Sequence, residues 1–314
     1  MRLRKATALT LLLTSAACTN PGIPESRTVP ERLLYVSPSG SDRNPGTLSR
    51  PFRQVSVAAR VATPGTVVHV APGDYAAVTS ARSGTKGAPI TFRSDDRWEA
   101  KVRGPGSTSA WTNTGDWVVV QGFDISGSSY SGITTTASHG RFVDNHVHDL
   151  VAPNCLRGGG GIVAESYTAT DNDTVGNVIH DIGTPGQECG LIHGIYYQSP
   201  AAGRIERNVI HDVSGAGIHL WHNANTVTIT GNLVFHNRQD GIAIGGSREG
   251  NDLPPGVASH VTVTDNVVRD NGHYGIRELG RVGLNSYVRN VASGNAYGDY
   301  HLIGGAVPVL QRPR

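Results

Sequence analysis

Asn208 to Asn223 reads NVIHDVSGAGIHLWHN, and its first half has close copies upstream, NHVHDL from Asn145 and NVIHDI from Asn177. Three His-Asp pairs in near-identical surroundings are either catalytic machinery or the trace of a repeating fold. Spacing separates the two readings. Asn145, Asn177, Asn208, Asn232, Asn266 and Asn290 each open one strand-like step, while Gly161, Gly194, Gly217, Gly241 and Gly275 each precede an Ile that opens another. In the plain copies Asn to Gly is nine residues and Gly to the next Asn fifteen, a unit of 24.

Such a period is the mark of a solenoid. Each unit carries short alternating runs such as VTITGNLVF and VTVTDNVV, too brief for an independent sheet. Stacked coils solve this: every strand pairs in parallel with its equivalents about 4.8 Å above and below, and the inward Ile, Val and Leu form one column. Equivalent asparagines are then expected to stack at a bend, bonding backbone groups and one another. Weaker coils run through TVVHVAPGDY, APITFRS and DWVVVQGFDISGSSYSGITT. The expected fold is all-β, a single-stranded right-handed parallel β-helix over residues 33–306.

Composition agrees. The 314 residues include 40 glycines, and only 17% are charged, which suits many short strands and turns better than a helix bundle. A net charge of +2 without basic blocks argues against nucleic acid as a partner. The first 18 residues have a charged start (Arg2, Arg4, Lys5), an apolar run Ala6 to Leu13 and small residues before Cys18, the pattern of an export signal with a candidate lipidation cysteine. Residues 19–32, with three prolines, read as a tether, and 307–314 as a tail. A lipid on Cys18 is the only expected membrane attachment, so the protein is expected to be secreted or a cell-surface lipoprotein, and a monomer.

On these repeats the chain resembles the right-handed parallel β-helix proteins of the pectate lyase-like superfamily. The segment YVSPSGSDRNPGTLSRPFRQVSVAARVATPGTVVHVAPGDY, Tyr35 to Tyr75, is similar to the opening of exported β-helix enzymes that include family-nine pectate lyases and alginate or chondroitin lyases. Within it Pro51 suits a first helical turn, and Val55, Ala58, Ala59 and Ala62 follow helical spacing, so a short helix is expected to cap the core. The superfamily hosts lyases, hydrolases, epimerases and binding proteins, so activity has to be read from the site.

In register, His148, His180 and His211, each followed by an Asp, form a column. The expectation is scaffold, polar side chains at a bend satisfying backbone groups, with a metal held by stacked imidazoles as the alternative. Positions that do not repeat are more informative. With Ile218, Leu220, Ile242 and Ile244 inward, the outward strip reads Val163, Tyr196, His219, Ala243, Arg277, and beside it Glu165, Gln198, Trp221, Gly245, Leu279. Inserted loops LVAPNCLRGGGG, IGTPGQECGLIH and GGSREGNDLPPGVA leave at the edges of this strip and are expected to wall it. Cys155 and Cys189 fall on one edge of adjacent coils, where a disulfide would brace the loops; the alternative is two free thiols.

An aromatic platform with spaced polar groups suits an extended polysaccharide or oligosaccharide. The expected activity is β-elimination on a uronic-acid glycan, with Arg277 neutralising the sugar carboxylate, His219 and Tyr196 sharing the base and acid roles, and His193 at the strand's entrance. Trp221, Glu165, Gln198, Asp240, His222 and Tyr274 are the candidate substrate contacts. The resemblance also implies calcium and a Lys or Arg base. Asp171 and Asp173 in TDNDT are the candidate calcium carboxylates, but Lys5, Lys86 and Lys101 are the only lysines and none is in the later coils. Glycoside hydrolysis is the weaker enzymatic alternative, because Glu165 and Asp240 are three coils, about 14 Å, apart. A non-catalytic glycan-binding surface protein is the third.

Overall fold

A computed structural model describes residues 32–152, 154–198, 201–246 and 256–304. Within them the chain forms 28 strands and one short helix, and the strands fall into three parallel sheets of ten, nine and nine members. Each coil visits the three faces in turn. The coil of Asn145, for example, places Arg141–Val143 on the first face, His146–Leu150 on the second and Gly159–Ala164 on the third, and Thr170–Val175 then returns to the first. This is the expected β-helix. The expected export signal with Cys18, most of the expected tether and the C-terminal tail lie outside the described residues, though Arg32, read as the last tether residue, already belongs to the first strand. Among the described residues no helix is long and apolar enough to cross a membrane.

Two bends in each coil explain the repeat. The residue before each asparagine (Asp144, Gly176, Arg207, Gly231, Asp265, Arg289) has a left-handed backbone with φ between 53° and 68°. Turning there aims the asparagine into the wall. Asn208, fully buried, donates from Nδ2 to the Thr174 carbonyl (2.9 Å) and to Asn232 Oδ1 (3.0 Å), while its own Oδ1 accepts from the Asn177 backbone and side chain (both 2.9 Å). The ladder runs unbroken from Asn145 to Asn290. A second ladder, Asn237 to Asn271 to Asn295, joins it in the later coils.

The second bend falls at Asp149, Asp181 and Asp212, with φ of 48° to 54°. Aspartate tolerates that conformation better than most residues, which accounts for its place after each histidine. The histidines themselves are not at the bend: His148, His180 and His211 pair in register on strands of the second face. They do not satisfy backbone groups either, since their imidazoles bond carboxylates. The aspartates stand at the bend as expected, but carboxylates and rings bond each other and not backbone groups.

Inside, Ile162, Ile195, Ile218, Ile242 and Ile276 stack in consecutive register and are fully buried. The glycine before each is forced by the stack, as at Gly217, where a β-carbon would stand 2.4 Å from Val234 Cγ1 and 2.8 Å from the Gly241 carbonyl. The capping helix is Val55–Val61, burying Val55, Ala58 and Ala59. It starts after Gln54, so Pro51 precedes the helix rather than opening it.

Candidate functional site

The third face carries the outward strip in the expected order. Val163 pairs with Tyr196, Tyr196 with His219, His219 with Ala243, and Ala243 with Arg277. A cavity of about 800 Å³ opens over it. Tyr196, His219, Arg277, His193, Trp221, Glu165, Gln198, Asp240 and His222 all line this one space. Tyr274 does not. Its ring packs on Tyr297 and His301 and lies 5.4 Å from the Arg277 guanidinium, so it supports the arginine instead of facing the cavity.

Two of the inserted loops wall the cavity. Arg157 to Gly159 come from the first and Gly190 and Leu191 from the second, and the disulfide Cys155–Cys189 ties them with a Cα separation of 5.0 Å. The middle of the third loop, 247–255, is outside the described residues. Arg157 lies 4.3 Å above the Tyr130 ring and brings a second cation to the far end. Neither residue stands out in the sequence, because Arg157 sits in an insertion and Tyr130 belongs to a coil with no Asn-to-Gly signature. At the other end Trp221 lies against Gly245, where a β-carbon would be 2.3 Å from the indole. Glycine at 245 is what lets the indole lie flat along the strip.

The chemical centre is a histidine pair. His219 Nδ1 and His193 Nε2 are 3.0 Å apart, one donating and the other accepting. Among the described residues His193 Nδ1 and His219 Nε2 are enclosed and have no hydrogen-bond partner. No carboxylate touches either ring, so nothing local favours an imidazolium. Burial, then the nearby His222 and Arg277, push His219 down to about 4. Burial and then His219 hold His193 well below the usual histidine range. The area of the His219 ring is half-buried, yet its Nε2 is closed off by its neighbours, and that atom decides the protonation. Both rings are neutral near pH 7. When His219 Nδ1 carries the shared proton, Nε2 holds a lone pair.

Arg277 donates to Asp240 Oδ2 at 3.4 Å and keeps Nε unpartnered among the described residues. A guanidinium has five N–H donors, so this long bond leaves most of them for another anion. Asp240 is buried, and burial raises its carboxyl, against the Tyr274 N–H (3.0 Å) and Arg277, which lower it. Glu278 points inward from its strand. It is buried and receives bonds from Tyr287, Asn285 and the Ile303 and Gly304 amides, out of reach of the cavity.

Calcium needs six to eight oxygen ligands. Asp171 and Asp173 lie on the first face, in the strand Thr170–Val175, where Asp173 pairs with Arg204 (2.7 Å) and Arg141 (3.7 Å) and Asp171 with His139 (3.0 Å). In the cavity Asp240 is committed to Arg277 and Tyr274, and Glu165 is three coils away. Neither set fits a calcium site.

With this geometry in place, comparison with known proteins is specific about ancestry. The Pel9A-like right-handed β-helix profile matches residues 34–306. The chain belongs to that family. It is 26% identical over 329 residues to the uncharacterized protein YwoF of Bacillus subtilis, covering 77% of this chain and 69% of that one. Pectate lyase L of Dickeya chrysanthemi is 26% identical over 310 residues, covering 84% and 71%. The crystal structure of pectate lyase Pel9A superimposes with a TM-score of 0.62 at 18% identity, covering 86% of this chain and 78% of that one, a likeness of fold.

Proposed function

We propose that this chain is an exported carbohydrate-active enzyme that cleaves a uronic-acid-containing glycan by β-elimination in the cavity of the third face. The observation carrying this reading is the neutral His193–His219 pair beside an arginine with donors to spare. Relatedness to pectate lyase L supports the substrate class.

Elimination needs the sugar carboxylate neutralised, the proton on the adjacent carbon removed and the leaving oxygen protonated. The Arg277 fork binds the carboxylate and lowers the cost of the carbanion. Once substrate binding uncovers it, His219 Nε2 takes the proton from C5, the C4–O4 bond breaks as the C4–C5 double bond forms, and the Tyr196 hydroxyl gives its proton to the departing oxygen. Proton return from His219 to Tyr196 through solvent resets the site. Substrate binding also tunes the base: Arg277 is one of the charges depressing His219, and an anion on the guanidinium offsets it. Trp221 and Tyr196 offer ring faces to sugars.

Hydrolysis is disfavoured by the same geometry. A pair of carboxyl groups roughly 5 to 9.5 Å apart is needed. Glu165 and Asp240 are three coils apart and Glu278 faces the core. The test is incubation of the purified protein with pectate, alginate and glycosaminoglycans, following ultraviolet absorbance of an unsaturated product. That signal is expected, and Arg277→Ala should lower it by about 10²- to 10³-fold. Reducing ends without unsaturation would mean hydrolysis, and binding without either product a glycan-binding protein.

A further inference from the structure

The second face holds a cluster that the proposed chemistry does not use. His146 and His148 point outward from one strand, His180 stands opposite His148 in the next coil, and Asp124 opposite His146 in the preceding one. Ligand atoms of the three histidines all lie within 4.8 Å of one another. His148 Nε2 is 2.8 Å and His146 Nδ1 3.2 Å from Asp124 Oδ2.

Hydrogen accounting exposes a gap. His180 bonds Asp181 through Nδ1 at 2.6 Å, and a carboxylate only accepts, so that nitrogen carries the hydrogen and Nε2 of the neutral ring is a lone pair. His146 is in the same position, with Nδ1 directed at Asp124. Yet His146 Nε2 and His180 Nε2 face each other at 2.8 Å. Two lone pairs do not sit nose to nose: the contact needs either an extra proton shared by the two nitrogens or a metal cation that both can bind.

We propose that His146, His148 and His180 form a binding site for a divalent transition-metal ion of the zinc type, with Asp124 behind it on His146 Nδ1. Three imidazole nitrogens leave a fourth position for water, a set suited to such an ion and poor for calcium. Zn–N bonds of about 2.05 Å in a tetrahedron place ligand nitrogens roughly 3.4 Å apart, so the rings turn to close on the ion. On loading, the proton on His148 Nε2 leaves to solvent and frees that nitrogen for the metal.

The surroundings are those of a metal site. Asp149 and Asp181 hold Nδ1 of His148 and His180 at 2.8 and 2.6 Å, the carboxylate-histidine arrangement that fixes the tautomer and aims Nε2. Arg103 holds the other oxygen of Asp124 at 3.0 Å. Trp98 covers His146 at 4.8 Å between ring centroids, and His211, stacked 4.9 Å from His180 and itself under Phe235, closes the other side. The ligands come from two successive coils, so the ion acts as a staple along the helix axis.

Calorimetric titration of the chelator-treated protein with zinc sulfate tests this. One equivalent should bind at micromolar or tighter affinity and raise the melting temperature. His180→Gln should weaken binding at least about 100-fold, and Asp181→Asn, exposed and harmless to folding, about 10- to 100-fold. Absence of binding below millimolar zinc, or one-to-one binding that survives His180→Gln, overturns the site. Should His180→Gln fail to fold, undiminished affinity in Asp181→Asn overturns it as well. The glycan-cleavage assay reads a different face, so either proposal can fail alone.

Discussion

The same side chain is used in opposite ways on two faces of this β-helix. On the third face His193 and His219 touch each other and no carboxylate, and burial holds both neutral. On the second face His148, His180 and His211 each hold a carboxylate through Nδ1 and stay half-buried. The difference follows from repetition. Where the coil repeats His-Asp, the partner repeats with the ring, and the left-handed bend supplies it. Where the chain drops the repeat, a histidine meets what adjacent coils happen to place beside it, and enclosed, unpartnered nitrogens appear in the wall of the cavity. In a solenoid, departures from the repeat mark reactive positions better than the conspicuous repeated pairs do.

The largest expected effect is on the third face. Arg277→Ala should lower kcat/KM on the cleaved glycan by about 10²- to 10³-fold, the loss typical of a charge-stabilising donor. His219→Gln should cost a similar factor by removing the basic nitrogen while the pocket keeps its shape. Steady-state rates of product absorbance check both. Near-normal activity in either variant would remove the contrast between the faces.

Next comes the scaffold. Asn208→Ala deletes four hydrogen bonds inside the wall and strands the Asn177 N–H away from water. An unsatisfied buried group costs about 1–3 kcal/mol and the lost side chain adds a cavity, so a destabilisation of about 3 kcal/mol is expected by denaturant unfolding.

How the sequence reads depends on where the partners come from. The outward strip is legible because Ile218 and Leu220 fix the parity, and one period then brings Tyr196, His219 and Arg277 to one ridge. The asparagine ladder is legible because an asparagine opens the same strand step in every later coil, even where insertions stretch the spacing. His146 and Asp124 are harder to see: the parity of HVH puts both rings outward, but the carboxylate opposite comes from VQGFDIS, a coil without the repeat signature. Arg157 enters from an insertion whose path only the disulfide and neighbouring loop define. Pro51 misleads because the helical spacing begins four residues after it.

A smaller effect separates the faces by pH. His219 titrates near 4 in the folded protein against 6.5 for an ordinary histidine, so the fold favours its neutral form. Stability from this group is complete above about 6.5 and is lost as pH falls from there through 4. Between pH 6.5 and 5 that amounts to about 2 kcal/mol at 1.4 kcal/mol per pH unit, with His193 acting in the same direction. Melting temperatures should fall over this interval, and His219→Gln should flatten the curve. If the slope is unchanged in that variant, the pair is not the neutral, enclosed unit described.

The smallest effect is expected where the sequence looks most like machinery. His211 continues the column, stacked 4.9 Å from His180 and 4.7 Å from Phe235, and bonds Asp212 at 2.6 Å. Its ring is half-buried and Asp212 is exposed. In His211→Ala, water replaces the ring at the carboxylate, no backbone group loses a partner, and only stacking on a wet surface is lost. Exposed pairs of this kind contribute roughly 0.2–1 kcal/mol. Denaturant unfolding should therefore move by no more than about 1 kcal/mol, with glycan cleavage unchanged. A loss approaching that of Asn208→Ala would mean that the column carries the coil after all, and the division between a structural asparagine ladder and a chemically idle, metal-competent histidine face would have to be redrawn.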